Sequence, residues 1–372
     1  MHLQKSTACG RWLSKMPDCA SNAPDLTNRS VRHPVTFAQK SGSMKANVIT
    51  AHGPARAVFE IREMPEPVAT ADDLIIKVLT TSVNPLDCRI RNKASVPRDL
   101  PLILGFDVCG VVVEKGSNVR GFKIGDRVTG SPTPFRSGAN ASYVAVDYRS
   151  CALAGRLTDE IAAAIPLAGI TAFEALLDRL HIRSGNLVVI HAGAGGVGHM
   201  AVQIAKYVGC KVITTASREE SLEYCTSELG ADYVLNYREQ DIKAAVMDLS
   251  EGKGAALILD TVGGSTFSQC IDYAAITGHI CTILPVSTNA QEGYQLLLKN
   301  ITVSYQFMGG PSRNPLNNRQ GIILKRLVEM TEGGTLRPHV SKVYPLKELA
   351  LAHEQIETGH TTGKIIIRVN NN

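Results

Sequence analysis

The apolar run Leu187-Val188-Val189-Ile190 leads into Gly193-Ala194-Gly195-Gly196-Val197-Gly198, with glycines at G-x-G-x-x-G spacing ahead of a helix-length amphipathic stretch, Met200 to Val208. A second strand, Lys211 to Ala216, returns within about 30 residues, and this strand–turn–helix–strand context makes a weak motif a strong constraint. Gly193 permits the tight turn, Gly195 lets the backbone approach a pyrophosphate, and Gly198 lets the helix pack against the strand. Phosphates then meet the positive end of the helix. The loop residues Gly193, Ala194, Gly195, Gly196, Val197 and Gly198 are therefore expected to bind a dinucleotide.

The rest of the chain divides around this unit. From Lys45 to about Gly169 the sequence reads as short strands broken by Gly and Pro, including Leu74 to Val78, Gly110 to Glu114, Gly125 to Val128 and Ser142 to Val146, the pattern of a small β-barrel or sandwich. From about Ile170, strands and helices alternate. Strands are expected at Asn186–Ala192, Lys211–Ala216, Tyr233–Tyr237, Ala256–Val262, His279–Leu284 and Ile301–Phe307, and a helix at Thr266–Ile276. A helix (Gly321 to Glu332), a strand (Val340 to Tyr344), a second helix (Glu348 to Thr358) and a closing strand (Lys364 to Val369) complete the α/β pattern.

The second strand of the dinucleotide unit ends in Thr214-Thr215-Ala216-Ser217-Arg218, where an acid would select the free ribose 2′-hydroxyl of NAD. A hydroxyl and a guanidinium there suit a 2′-phosphate, so NADPH is the expected cofactor. The alternative is that Glu219 or Glu220 reaches the ribose and Arg218 is a solvated residue at a helix start.

Together with this loop, the segments Asn84-Pro85-Leu86-Asp87, Leu104-Gly105-Phe106-Asp107, Gly125-Asp126-Arg127-Val128, Gly169-Ile170-Thr171-Ala172, Asp260-Thr261-Val262-Gly263-Gly264 and Gly363-Lys364 resemble, in order, the medium-chain dehydrogenase/reductase superfamily. The likeness is to its zinc-free quinone oxidoreductase branch. It implies an α/β architecture of a GroES-like β-barrel catalytic domain (44–169 and 309–372) interrupted by a doubly wound Rossmann domain with a parallel sheet (170–308), following a leader of residues 1–43. Asn84 would lie beside the nicotinamide and the substrate oxygen, Thr171 would contact the carboxamide, Val262 would belong to the cofactor site, and Tyr237 and Lys364 would lie near the cofactor phosphates or the domain junction. Where some relatives carry Lys for the 2′-phosphate, this chain has Ser221. Many quinone reductases have Tyr two residues after the position of Asp87, where this chain has Arg89. Arg89 is read either as a cation for a developing oxyanion, with Asn84 and Asp87 in the catalytic set, or as a surface residue paired with Asp87.

Zinc-dependent relatives carry Cys within the segment that here reads Thr81-Ser82-Val83-Asn84 and His-Glu where this chain has Phe106-Asp107. Amide and phenyl are poor substitutes for thiolate and imidazole, so no metal is expected, and Asp107 is either a leftover ligand or a satisfied polar residue. Without zinc to polarise an alcohol or aldehyde, the favoured acceptor is conjugated: a quinone, or an enal or enone attacked at its β-carbon, whose charge spreads over a hydroquinone or enolate. An enoyl or 2-alkenal reductase proper, or a low-turnover NADPH-binding sensor, are the alternatives. His191 reads as a packed histidine, Cys109 and Cys151 as core residues, and no nucleophile elbow supports acyl transfer.

The formal charge of +5 is concentrated in the leader, where six basic residues face only Asp18 and Asp25. The remainder is near neutral, so no electrostatic argument for nucleic acid survives. The leader's composition suits a mitochondrial transit peptide, a disordered extension, or a start placed ahead of Met44. Nine cysteines without C-x-x-C spacing favour a reducing compartment, with the cytoplasm as default, and no apolar run is long enough to span a membrane. A homodimer formed through the strand Ile301–Phe307 is implied by the resemblance.

Overall fold

A computed structural model describes residues 42–93, 99–310 and 318–369. The leader therefore lies outside the described residues except for Gly42 and Ser43, and Ser43 already opens the first strand, Ser43–Ile49. That strand pairs antiparallel with Phe59–Pro65 and with Leu102–Ile103.

The longest strand, Asp73–Val83, is the spine of a seven-stranded sheet. Its first half pairs antiparallel with both Val108–Lys115 and Tyr143–Asp147, and its last four residues pair with Lys364–Arg368 from the far end of the chain. Two register shifts against Val108–Lys115 bend it, as bulges do in closed or strongly curved sheets. The C-terminal strand Val340–Pro345 joins the same sheet through Lys364–Arg368. The sheet encloses Leu74, Ile76, Val78, Val108, Val112 and Val128, all fully buried, in keeping with the inward alternation of these strands.

The second sheet has six parallel strands in the order Tyr233–Asn236, Lys211–Ala216, Leu187–Ile190, Ala255–Asp260, Ala274–Thr282, Thr302–Tyr305. This is the doubly wound Rossmann order. Val188 and Ile190 face one core and Val189 the other, so both faces of the central strand are buried, as a parallel sheet requires. The strand order reverses at Leu187–Ile190, and a ligand crevice belongs beyond the carboxyl end of that strand.

Two sequence expectations are corrected. The helix expected at 266–276 is Ser265–Tyr273, and the strand expected from His279 begins at Ala274. Ala274-Ala275-Ile276 continues the helical apolar spacing, but Ala274 pairs with Ala255 and a register shift follows. The expected change of rhythm at Gly169–Ile170 falls inside the helix Pro166–Phe173. A Cβ at Gly169 would stand 2.9 Å from Leu327 Cδ1, so this glycine lets the helix Gln320–Glu332 approach and does not mark a turn. The seven cysteines among the described residues are free and buried, Cys109 and Cys151 in the core as expected. Among those residues no helix is long and apolar enough to cross a membrane.

Candidate active site

Beyond Ile190 the chain turns through His191 and Ala192, a non-glycine residue with φ of 49°, and enters the helix Gly196–Val208 with Gly195 as its extended N-cap. A cavity of about 730 Å³ opens over this turn, lined by Ala192, Gly195, Gly196, Val197 and Gly198 on one side and by Asn84, Leu86, Arg89 and Thr171 on the other. Gly193 and Ala194 lie behind the lining: Gly193 packs against Thr214, and the Ala194 carbonyl accepts the Gly363 N–H at 2.8 Å.

At the tip of the second strand, Ser217 Oγ donates to Tyr237 Oη at 3.0 Å. The Arg218 guanidinium donates to the His360 carbonyl at 2.7 Å and to Ser221 Oγ at 3.3 Å. Ser217 and Arg218, the residues expected at a 2′-phosphate, thus stand beside Tyr237 at this strand tip and off the cavity wall, while Glu219 and Glu220 are exposed in the first turn of the next helix. Val262 is also exposed and absent from the cavity wall, where its neighbour Thr261 stands instead. Asp260 Oδ1 accepts the N–H groups of Val262 and Gly263, and Thr261 Oγ donates to the His191 carbonyl at 2.7 Å, which fixes that turn.

Across the cavity, Asn84 caps the helix Pro85–Asn92. Pro85 suits the first helical position because its missing N–H is needed by no intrahelical partner. Asp87 accepts the Asn84 N–H at 2.9 Å and the Gly105 N–H at 2.8 Å. It is buried and absent from the cavity wall, and burial pushes its carboxyl up to about 7 against the pull of those two donors. Asp87, expected in the catalytic set, therefore acts on the backbone that carries Asn84. It makes no pair with Arg89. That arginine is exposed on the cavity wall, and no carboxylate among the described residues pairs with it.

The residue that spacing alone undervalued is Asp107, which is fully buried. Its Oδ2 accepts from Ser82 Oγ and from Asn84 Nδ2 at 2.8 Å, and its Oδ1 accepts the Leu167 N–H at 2.6 Å. Lys364 Nζ stands 3.4 Å from Asp107 Oδ2 and donates to Asn84 Oδ1. Of the two sequence readings, Asp107 is the satisfied polar residue. The segments that hold zinc ligands in zinc-dependent relatives meet here, but they present hydroxyl, amide and a saturated carboxylate beside an ammonium. That donor set does not fit Zn²⁺, which needs thiolate, imidazole or free carboxylate and is repelled by a neighbouring cation. No group of three metal-ligating side chains occurs among the described residues.

Gln306 also lines the cavity, and no motif pointed to it. Its Nε2 donates to Glu174 Oε2, whose carboxyl burial raises to about 7, and its Oε1 accepts from Arg179 Nε at 3.2 Å. His191 is the packed histidine expected, bonded to Tyr273 Oη at 2.5 Å and held neutral by burial, which lowers its pKa to about 4.

Comparisons with known proteins agree with this geometry. Residues 70–177 match the family model described as alcohol dehydrogenase GroES-like domain, and 229–367 the one described as zinc-binding dehydrogenase. A zinc-type alcohol dehydrogenase-like protein of Staphylococcus epidermidis is 34% identical over 329 residues, spanning 84% of this chain and 95% of that protein. The quinone oxidoreductase of Coxiella burnetii superposes with a TM-score of 0.78 at 32% identity, covering 88% of this chain and all of that one. The Escherichia coli quinone oxidoreductase complexed with NADPH gives a TM-score of 0.79 at 26% identity, over 87% of this chain and all of that one.

Proposed function

Because the chain belongs to the medium-chain dehydrogenase/reductase superfamily, in its quinone oxidoreductase-like branch, we propose that it is a zinc-independent enzyme that reduces a quinone or an α,β-unsaturated carbonyl with NADPH. The observation that carries this reading is one cavity joining the glycine turn to Asn84 and Arg89, with a lysine–aspartate pair where zinc ligands would stand.

NADPH, when bound, supplies a hydride from nicotinamide C4. The loop amides of 193–198 hold the pyrophosphate at the helix N-terminus, and Ser217, Arg218 and Tyr237 receive the 2′-phosphate. Thr171, with the 261–262 turn, borders the carboxamide. Asn84 Nδ2 has one N–H on Asp107 and one left over, and the latter faces the acceptor oxygen on which charge grows. Arg89 adds positive potential along the wall. A guanidinium is a poor proton donor at neutral pH, so water completes protonation.

The chain divides functionally into 44–169 with 309–372 and 170–308, although one helix runs through the first of these boundaries. Dimerisation uses the edge strand Thr302–Tyr305, and Ile276, Tyr294, Leu297, Leu298 and Tyr305, on that strand and the elements next to it in the chain, are exposed apolar residues. The cytoplasm is the compartment of choice, with mitochondrial import through the leader as the alternative, and mass spectrometry of the mature N-terminus distinguishes them.

NADPH oxidation measured against 1,4- and 1,2-quinones, enals, enones and simple aldehydes is expected to be fastest with a conjugated acceptor and unchanged by a zinc chelator. Dominant ethanol or aldehyde activity that the chelator abolishes overturns the reading, an enal-only profile assigns a 2-alkenal reductase, and flat traces with tight NADPH binding assign a sensor. Arg218→Ala is expected to weaken NADPH by about 10–100-fold, the worth of charged hydrogen bonds to phosphate, and to leave NADH unchanged within a few-fold. Equal losses for both cofactors remove the 2′-phosphate role.

A further inference from the structure

Lys364 is 3% exposed and Asp107 not at all, yet the lysine reaches the wall of the cavity. Its position is set from the cofactor side. The preceding Gly363 N–H is clipped to the Ala194 carbonyl, and Lys364 Cδ passes 3.5 Å from where a Cβ on Gly196 would stand. The stem therefore crosses the glycine turn and the head continues past it to Asn84.

We propose that Lys364 is a positioning residue that, with Asp107, fixes the direction of the Asn84 amide so that an N–H and not the carbonyl faces the acceptor. The inference rests on Asn84 facing the acceptor oxygen, as proposed above. An asparagine amide has two nearly isosteric ends, and its chemical neighbours decide which end points where. Here Oδ1 meets the ammonium of Lys364 and Nδ2 meets the carboxylate of Asp107. Turning the amide over sets NH₂ against ammonium and oxygen against carboxylate, so both contacts become repulsive. The same ion pair thus excludes the wrong rotamer twice. The remaining Nδ2 hydrogen is a donor held ready before the acceptor arrives, the condition under which a hydrogen bond assists developing negative charge. In this role Lys364 acts through Asn84 and makes no contact with the cofactor phosphates.

The test is a cycle of Lys364→Met, Asn84→Leu and the double variant, with kcat at saturating NADPH, the NADPH Kd from nicotinamide fluorescence, and the Tm of the cofactor-free protein. Lys364→Met is expected to lower kcat about 100-fold, the scale of a misplaced reactive geometry, with the NADPH Kd within about threefold of wild type. Adding it to Asn84→Leu is expected to cost no further activity, because the group it orients is gone. Multiplying losses in the double variant, or a Kd raised tenfold with kcat intact, overturn the proposal and make Lys364 a phosphate ligand. If Lys364→Met does not accumulate folded, Lys364→Gln takes its place in the cycle, since its neutral amide can turn either its donor or its acceptor end to Asn84 and no longer fixes the direction. If wild type reduces no acceptor, the functional reading fails while the Tm cycle still reports on the contact: non-additive shifts uphold it and additive shifts overturn it.

Discussion

An Asp107→Ala variant is expected to lose about 3–5 kcal/mol of unfolding free energy, the cost of breaking a buried ion pair from one side. The carboxylate satisfies Ser82, Asn84 and the Leu167 N–H at once and neutralises Lys364, and all of this happens away from water. Alanine strands the ammonium and leaves three donors without their acceptor, where a surface salt bridge would cost less than about 1 kcal/mol. Thermal unfolding is expected to fall by on the order of 10 °C. Asp107→Asn keeps the shape and one acceptor oxygen, so it is expected to lie between wild type and alanine. Chemical denaturation of the cofactor-free protein reads both, and an alanine variant within 1 kcal/mol of wild type would show that water reaches the cluster.

The second large effect is at Gly198. A Cβ there would stand 2.1 Å from the Ala192 carbonyl oxygen and 2.8 Å from its carbon, both backbone atoms of the turn proposed to receive the cofactor. No side chain can swing away to relieve the contact, so the helix must retreat from the strand and the loop amides must spread. Gly198→Ala is expected to weaken NADPH about 100-fold, the equivalent of nearly 3 kcal/mol. Gly196 provides the control. Its Cβ would meet Lys364 Cδ at 3.5 Å and the Gly363 carbonyl at 3.6 Å, ordinary contact distances, so Gly196→Ala is expected to bind NADPH within a few-fold of wild type. Equal affinities for the two alanine variants, by fluorescence titration, would separate the third motif glycine from helix packing.

The contrast between those two glycines shows what spacing conveys. Periodicity and the motif place the parallel strands within a few residues, because local backbone demands such as burial on both faces and close helix approach leave a local signature. The cluster around Asp107 has none. Asn84, Asp107 and Lys364 come from a helix cap, a strand start and the last strand, and only the closing of the sheet brings them together. Asp87 illustrates the same gap: an acid beside an Asn-Pro turn reads equally as a reactive group or as a clamp on backbone N–H groups, and its two backbone partners decide for the clamp. Which of Thr261 and Val262 meets the cavity depends on a turn organised by Asp260, a one-residue question that alternation does not answer where a strand has ended.

The pairing of Asp73–Val83 with Lys364–Arg368 also sets an order of events on the ribosome. Val83 emerges long before its partner Ile365, and at about 5–20 residues per second the gap is roughly 15–60 seconds. All six strands of the parallel sheet are synthesised within that interval. The nucleotide-binding half can thus mature on a nascent chain whose other half still has one side of Thr80–Val83 open. Asn84 follows that open edge directly. A polypeptide interrupted before Lys364 would hold the glycine turn yet lack both the lysine that orients the amide and the strand that pairs with Thr80–Val83, so synthesis of Lys364–Arg368 comes after every other part of the proposed reactive centre.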